Sequence, residues 1–293
     1  MPDQATEAFV AHRSLLFTVA YEMLGSAADA EDVLQETWLR WSGVDLSAVR
    51  NERAYLVRIT TRQALTRLRT LARRKESYVG PWLPEPLLTT PDVAEDVELA
   101  DSVSTAMLLV LETLGPTERA VFVLREVFAL PYDEIAQAVG KAPATVRQIA
   151  HRARDHVAAR RPREVITPAE AEGALAAFQR AVETGDLQGL LDRLAPDVVL
   201  LGDGGGEVAA SREPVLGAAR VAELLATVVP RLGATRSVER TQVNGSPALA
   251  LRFGGTVDAV VTVRLDGGLI TGLYFVRNPA KLSRVEKATA MTR

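Results

Sequence analysis

The sequence has no cysteine, only three histidines, and aromatic residues make up just 5% of its 293 positions. Without cysteine there is no disulfide, no thiolate metal site and no thiol nucleophile. The imidazoles of His12, His151 and His156 are too few and too scattered for a metal cluster, so no metal and no cofactor is expected. No apolar run is long enough to span a bilayer, and the first residues lack the basic-then-apolar pattern of a signal peptide. A cytoplasmic protein without membrane contact is therefore expected. Charge of one sign is not in excess either: 34 Lys and Arg stand against 37 Asp and Glu, for a net charge of −3. What is present, 47% hydrophobic and 24% charged residues, describes a globular chain long enough for two or three cores.

The near-balance of charge hides a strong local asymmetry. Residues 7–76 read as helical. "FVAHRSLLFTVAYEML" ends at Gly25, a residue suited to a left-handed helix cap. "DAEDVLQETWLRW" places Ala30, Val33, Leu34, Trp38 and Trp41 on one face at helical spacing, with Asp29, Glu31, Asp32, Gln35, Glu36 and Arg40 elsewhere. A third helix from about Asn51 has Leu56, Ile59, Leu65 and Leu68 as its apolar stripe. Arg50, Arg53, Arg58, Arg62, Arg67, Arg69, Arg73, Arg74 and Lys75 surround it, against one acid, Glu52.

After a proline-rich segment at 77–101, residues 102–162 read as helical again. "SVSTAMLLVLETL" stops at Gly115-Pro116, and "PTERAVFVLREVF" follows with proline in its first turn. "PYDEIAQAVG" and "APATVRQIAHRARDHVAARR" then form a helix-turn-helix closed at Gly140. Its second helix shows Thr145, Arg147, Gln148, His151, Arg152 and Arg154 on the polar face. Arg147 and Gln148 lie in the N-terminal half, where a recognition helix meets base edges; Arg152 and Arg154 suit phosphates. The arginine-rich third helix is less specific alone, since a basic helix can be merely solvated. Two basic faces on two helical units predict a bipartite reader of DNA.

These segments resemble a known family. "DAEDVLQETWLRW" is similar to the polymerase-binding helix of region 2 in extracytoplasmic-function (ECF) RNA polymerase sigma factors. "RAYLVRITTRQALTRLR" resembles the adjoining helix that recognises and melts the −10 element. "LGPTERAVFVLREVFALPYDEIAQAVGKAPATVRQIAHRAR" resembles region 4, which reads the −35 element. "WLPEP", "DGGG" and "NPAKL" look like marks of the SigJ-like subgroup, whose C-terminal domain is SnoaL-like. The chain departs from the usual pattern at Thr66, Glu207 and Ala280.

The resemblance implies core RNA polymerase, through its clamp helices and flap, and promoter DNA as partners. It assigns Asp29, Glu31, Asp32, Gln35, Glu36 and Arg40 to polymerase, and Arg58, Arg62, Arg67 and Arg69 to the −10 region. The expected fold is multidomain: two all-α sigma domains at 7–76 and 102–162, joined by the linker at 77–101, and an α+β SnoaL/NTF2-like cone at 168–293. In the last part, "SVERTQVNG", "SPALALRFGG", "VDAVVTVRLDGG" and "LITGLYFVRNP" read as successive antiparallel strands, with turns at Asn244-Gly245 and Asp266-Gly267.

A cone of this kind encloses a pocket, so an unknown small ligand and an isomerase or cyclase activity are both open readings, as is a ligand-sensing DNA-binding regulator. Residues 168–293 contain no histidine, and Asp197, Asp203 and Asp258 are the acids nearest strands or loops. No catalytic residue is assigned; the resemblance implies a regulatory domain that docks on the linker and region 2 and tunes polymerase or promoter engagement. Trp82, Leu83 and Pro84 would meet Asp203, Gly204, Gly205, Asn278, Pro279 and Lys281 there, and the acidic end of the linker would follow a basic channel.

Overall fold

A computed structural model describes residues 4–90, 93, 96–161, 166–228 and 236–293. Pro91, Asp92, Ala94 and Glu95, part of the acidic end of the linker, lie outside the described residues. Two compact units are present. The first comprises Met1–Ser77, Met107–Arg161 and Ala290–Arg293; the second comprises Tyr78–Ala106 and Pro162–Thr289. No described helix is long and apolar enough to cross a membrane.

The helical unit begins with α1 (Gln4–Leu24), α2 (Ala27–Trp41) and α3 (Glu52–Glu76). From Leu15 to Leu24 every α1 residue is buried, so this half of the helix is enclosed on all sides. It packs on α2 and α3 and on the later helices of the unit. Gly25 ends α1 at φ 66, and Ser26 then caps α2 by accepting from the Asp29 N–H. Trp41 is fully buried, and its indole N–H donates to the Ala5 carbonyl at 2.8 Å. The last residues of the chain return to this unit: Met291 is buried, and the Thr292 N–H donates to Thr18 Oγ1 at 3.2 Å.

The segment read from sequence as one helix from Ser102 breaks at Ser104, which is extended at ψ 147. It yields α4 (Val97–Val103) and α5 (Thr105–Glu112). Next come α6 (Pro116–Phe122), α7 (Tyr132–Val139) and α8 (Pro143–Ala158). Here too one predicted helix is interrupted: after α6 the chain widens into a π-helical turn, Val123–Val127. The wider turn keeps Val123 and Leu124 in the core while Phe128 and Leu130 also reach it. Gly140, left-handed at φ 68, closes α7 and makes the tight turn into α8. Ile135, Ala136 and Ala138 of α7 and Val146, Ile149, Ala153 and Val157 of α8 are buried.

The second unit carries α9 (Pro168–Thr184), α10 (Leu187–Leu191), β1 (Leu194–Asp203), β2 (Val215–Leu216) and α11 (Ala218–Val228). It continues with β3 (Arg236–Val243), β4 (Ser246–Phe253), β5 (Thr256–Asp266), β6 (Leu269–Val276) and α12 (Pro279–Leu282). The strands form one sheet in the order β2-β1-β6-β5-β4-β3. All pairs are antiparallel except β1 with β6. Leu175 and Phe178 of α9 and Val221 and Leu225 of α11 pack with Val198, Leu200, Leu249, Val261 and Leu273 of the sheet. This is an α+β arrangement, helices packed on one six-stranded sheet. The β5–β6 turn is centred one residue later than the sequence suggests: Gly267 and Gly268 take positive φ, and Asp266 ends the strand.

Candidate nucleic-acid and polymerase interface

Helix α8 keeps Val146, Ile149 and Ala153 inside, and so turns Thr145, Arg147, Gln148, His151, Arg152 and Arg154 to solvent together. All six are exposed. Arg154 lies 3.6 Å from Glu126, and His151 3.1 Å from Asp155. Proline at 143 starts the helix without wasting a donor.

Helix α3 spends its arginines differently. Arg62 donates to the carbonyls of Gln137 and Ala138, at 2.8 and 3.4 Å, at the C-terminal end of α7. A cation there meets the negative end of the helix dipole. Arg67 bridges Asp29 at 2.5 Å and Asp32 at 2.7 Å. Arg58 lies over the Tyr55 ring at 4.5 Å, and Arg69 is exposed. On α2, Asp29 is buried, and Glu31 pairs with Arg13 at 2.7 Å. Asp32, Gln35, Glu36 and Arg40 remain exposed as one polar face. Leu39, which the sequence reading passed over, is 62% exposed beside them. Leu39 breaks the helical spacing of the buried stripe, the one signal by which it was visible.

Near the base of this unit, Glu112 pairs with both Lys75 and Arg119, and Arg119 also donates to the Glu22 carbonyl at 3.0 Å. Burial pushes the Glu112 carboxyl up, but Arg119 and Lys75 outweigh it and leave it below its ordinary value. Burial lowers the Lys75 ammonium despite Glu112.

In the second unit, residues 78–89 form a strap, and the nine residues expected to meet around it are gathered closely. Asp203 is fully buried at the end of β1. One carboxylate oxygen accepts from the Tyr78 hydroxyl at 2.5 Å and the Gly205 N–H at 3.1 Å. The other accepts from the Leu83 N–H at 2.9 Å and the Lys281 ammonium at 2.7 Å. Lys281 also donates to the Leu83 carbonyl at 2.5 Å, and lies 4.2 Å from the Trp82 ring and 5.0 Å from the Tyr78 ring. Asn278 donates to the Tyr78 hydroxyl at 2.7 Å and caps α12, with Pro279 in the first turn. Pro84 and Gly204 are buried. Gly205 sits at φ 65, and a Cβ there would fall 2.5 Å from the Asn278 side chain. Burial first, then the Asp203 hydrogen bond, drives the Tyr78 hydroxyl well above its usual range.

The strap continues in isolated β-bridges. Leu88 bridges Val243 in antiparallel fashion, and the Thr89 N–H donates to the Gln242 carbonyl at 3.2 Å. Asn244, a buried left-handed turn residue, accepts from the Leu87 N–H at 2.8 Å and donates its own N–H to the Leu87 carbonyl. The linker thus adds to the end of the β3 edge, a position that otherwise exposes unpaired backbone. Tyr78, Asn244 and Thr89 were missed by sequence reasoning; Asn244 had a signal only as a turn.

The family model for Sigma-70 region 2 matches residues 8–74, and that for Sigma-70, region 4 matches residues 104–157. The ECF RNA polymerase sigma factor SigJ of Mycobacterium tuberculosis is 37% identical over 229 residues, 77% of this chain and 73% of that protein. This chain belongs to the ECF RNA polymerase sigma factors. A second relative in that organism, named "Probable ECF RNA polymerase sigma factor SigI", is 33% identical over 96% of this chain and 95% of its own. The crystal structure of M. tuberculosis SigJ superposes with a TM-score of 0.77 at 30% identity, covering 96% of this chain and 99% of that one. As an ECF sigma factor, the chain recognises promoters and directs transcription initiation by RNA polymerase, with helix-turn-helix region 4 as a DNA-binding element.

The sigma factor's C-terminal domain pairs or exposes the acids that sequence singled out. Among the described residues, its buried carboxylates are Asp203 and Glu85. Asp203 is saturated by the strap, and Glu85 lies on the strap itself, 3.9 Å from Arg284. Asp258 is paired with Arg277 at 3.2 Å, and Asp197 is exposed on β1. Apolar side chains line the space between helices and sheet.

Proposed function

We propose that this sigma factor holds the clamp helices and flap of core RNA polymerase, the clamp through Glu31, Asp32, Gln35, Glu36 and Arg40, with Leu39 as an apolar contact and Asp29 acting from beneath through Arg67. Arg58, Arg62, Arg67 and Arg69 engage the −10 region, and Thr145, Arg147, Gln148, His151, Arg152 and Arg154 the −35 element. The C-terminal domain regulates and does not catalyse. It acts by capturing the linker between the two promoter-reading regions, through Trp82, Leu83, Pro84, Asp203, Gly204, Gly205, Asn278, Pro279 and Lys281. One observation carries this: the linker backbone at Leu83 is held on both sides, its N–H by Asp203 and its carbonyl by Lys281. A captured linker has less freedom to span the two promoter elements, so its release changes promoter engagement. A small ligand has weaker support: a cavity of about 330 Å³ between α10 and α11 is lined mainly by Leu187, Leu191, Ala219, Ala222 and Ala226, with Glu223 and Thr227 beside them.

Run-off transcription with core polymerase on a library of promoter templates tests the reading. The full chain should initiate on a subset of templates. A chain ending at residue 166 and a Lys281→Met chain should both change the yield or the subset. Identical output from all three would overturn regulation by capture, and no initiation by any would overturn the residue assignments.

A further inference from the structure

Arg147 stands where base edges are expected, but a long exposed arginine loses rotamer freedom when it is held to one base. Its surroundings contain a brace. The Arg147 guanidinium lies over the Tyr132 ring, 5.6 Å from its centroid. The Arg125 guanidinium lies over the same ring at 4.6 Å. Arg125 is itself tied down, donating to the Leu130 carbonyl at 2.9 Å. The local backbone gathers the three. Arg125 is the middle residue of the π-helical turn, the chain then passes through Ala129 at φ 52, and Tyr132 opens α7. A π turn and a left-handed alanine are each unfavourable conformations that concentrate at functional sites. Here they deliver one cation to a half-buried ring whose other neighbour is the recognition helix.

We propose that Tyr132 is a positioning residue for −35 recognition: its ring, with Arg125 fixed beside it, holds the Arg147 guanidinium ready to meet a base edge. The inference rests on Arg147 being a base-reading residue. The ring face attracts the guanidinium, while Arg125 repels it and keeps it from sinking further into the fold. The donor fork of Arg147 therefore stays at the surface, oriented before DNA arrives, and bidentate pairing needs that planar orientation. Tyr132 acts through Arg147 and contacts no base.

The test uses the full chain assembled with core RNA polymerase, on templates randomised across the −35 region, with sequencing of the transcripts that start. Arg147→Ala first identifies the base pair whose preference depends on that arginine. Tyr132→Leu is expected to weaken preference at that same base pair by roughly two- to fivefold, the size of an exposed cation–π contact, and to leave other positions unchanged. Tyr132→Phe, which keeps the ring, is expected to retain it. Tyr132→Met fills similar space without a ring and gives a second measurement should leucine disturb folding. Full preference in the Leu and Met chains, beside a loss in Arg147→Ala, overturns the brace. An equal fall at every −35 position also overturns it, since that marks Tyr132 as packing alone. If Arg147→Ala changes no preference, base reading by Arg147 fails and the brace fails with it.

Discussion

Glu112 in the helical unit and Asp203 in the C-terminal unit are both carboxylates enclosed by cations, yet their surroundings differ in kind. Glu112 meets two cations, Lys75 and Arg119, brought by helices that pack anyway through their apolar faces. Asp203 meets one cation and three neutral donors, all from segments without regular structure except Lys281 on the short α12. The first carboxylate decorates a core that stands without it. The second organises its neighbourhood, because Tyr78, Leu83 and Lys281 have few other reasons to converge. A buried ion pair is costly to break from one side, so the second site should be the more sensitive.

The largest expected effect follows from Asp203→Ala, which removes the carboxylate that Lys281 meets at 2.7 Å. We expect a loss of about 3–5 kcal/mol in the C-terminal unit. Amide hydrogen exchange would show it as lost protection at Leu83, Leu87 and Thr89, and unchanged protection would break the comparison. Adding Lys281→Met to that chain should recover part of the loss, since the buried ammonium that lost the Asp203 carboxylate is then gone. Glu112→Ala should cost less, about 2 kcal/mol, because Arg119 keeps its bond to the Glu22 carbonyl. Urea denaturation followed by helical circular dichroism measures it, and a cost above that of Asp203→Ala would reverse the ranking.

The pH dependence of Glu112 sharpens the same point. Its folded value lies below the ordinary 4.5, so its contribution is complete above about pH 4.5 and is lost as pH falls through the lowered folded value. The Glu112→Gln chain should lack this acid-side loss in thermal melting. Trp82→Ala removes a half-buried ring and its contact with the Lys281 ammonium, and is expected to cost about 1–2 kcal/mol. Its readout is faster exchange at the Leu83 amide with β4 and β5 unaffected. The smallest effect belongs to Arg62→Ala, about 1 kcal/mol from two hydrogen bonds at an exposed helix end, read from the urea midpoint.

Much of this was legible in the sequence, and the legible part has a common cause. The helix-turn-helix announced itself through local rules: a left-handed glycine at 140, proline at the start of α8, and apolar spacing that turns Arg147 and Gln148 outward. The hairpins were visible for the same reason, since Asn244-Gly245 needs only its own two residues to set the turn. The break at Ser104 and the π turn at 123–127 were not visible. At 123–127 the sequence is helix-forming, and tertiary packing of Phe128 and Leu130 overrode propensity. The convergence of "WLPEP", "DGGG" and "NPAKL" was suggested by resemblance, but Tyr78 and Asn244, which hold its two ends, carry no local mark of that role.

The sequence by itself determined the order of the parts, the faces of each helix and the residue types offered to DNA and polymerase, because periodicity and capping act within a few residues. Tertiary structure alone decided which charges also bond within the fold. Arg62 and Arg67 of α3 bond to α7 and α2, whereas the arginines of α8 stay exposed, and Arg147 is held at a ring fifteen residues away. Hydrogen bonds and ion pairs act over a few ångströms of space, so no spacing along the chain could reveal their partners.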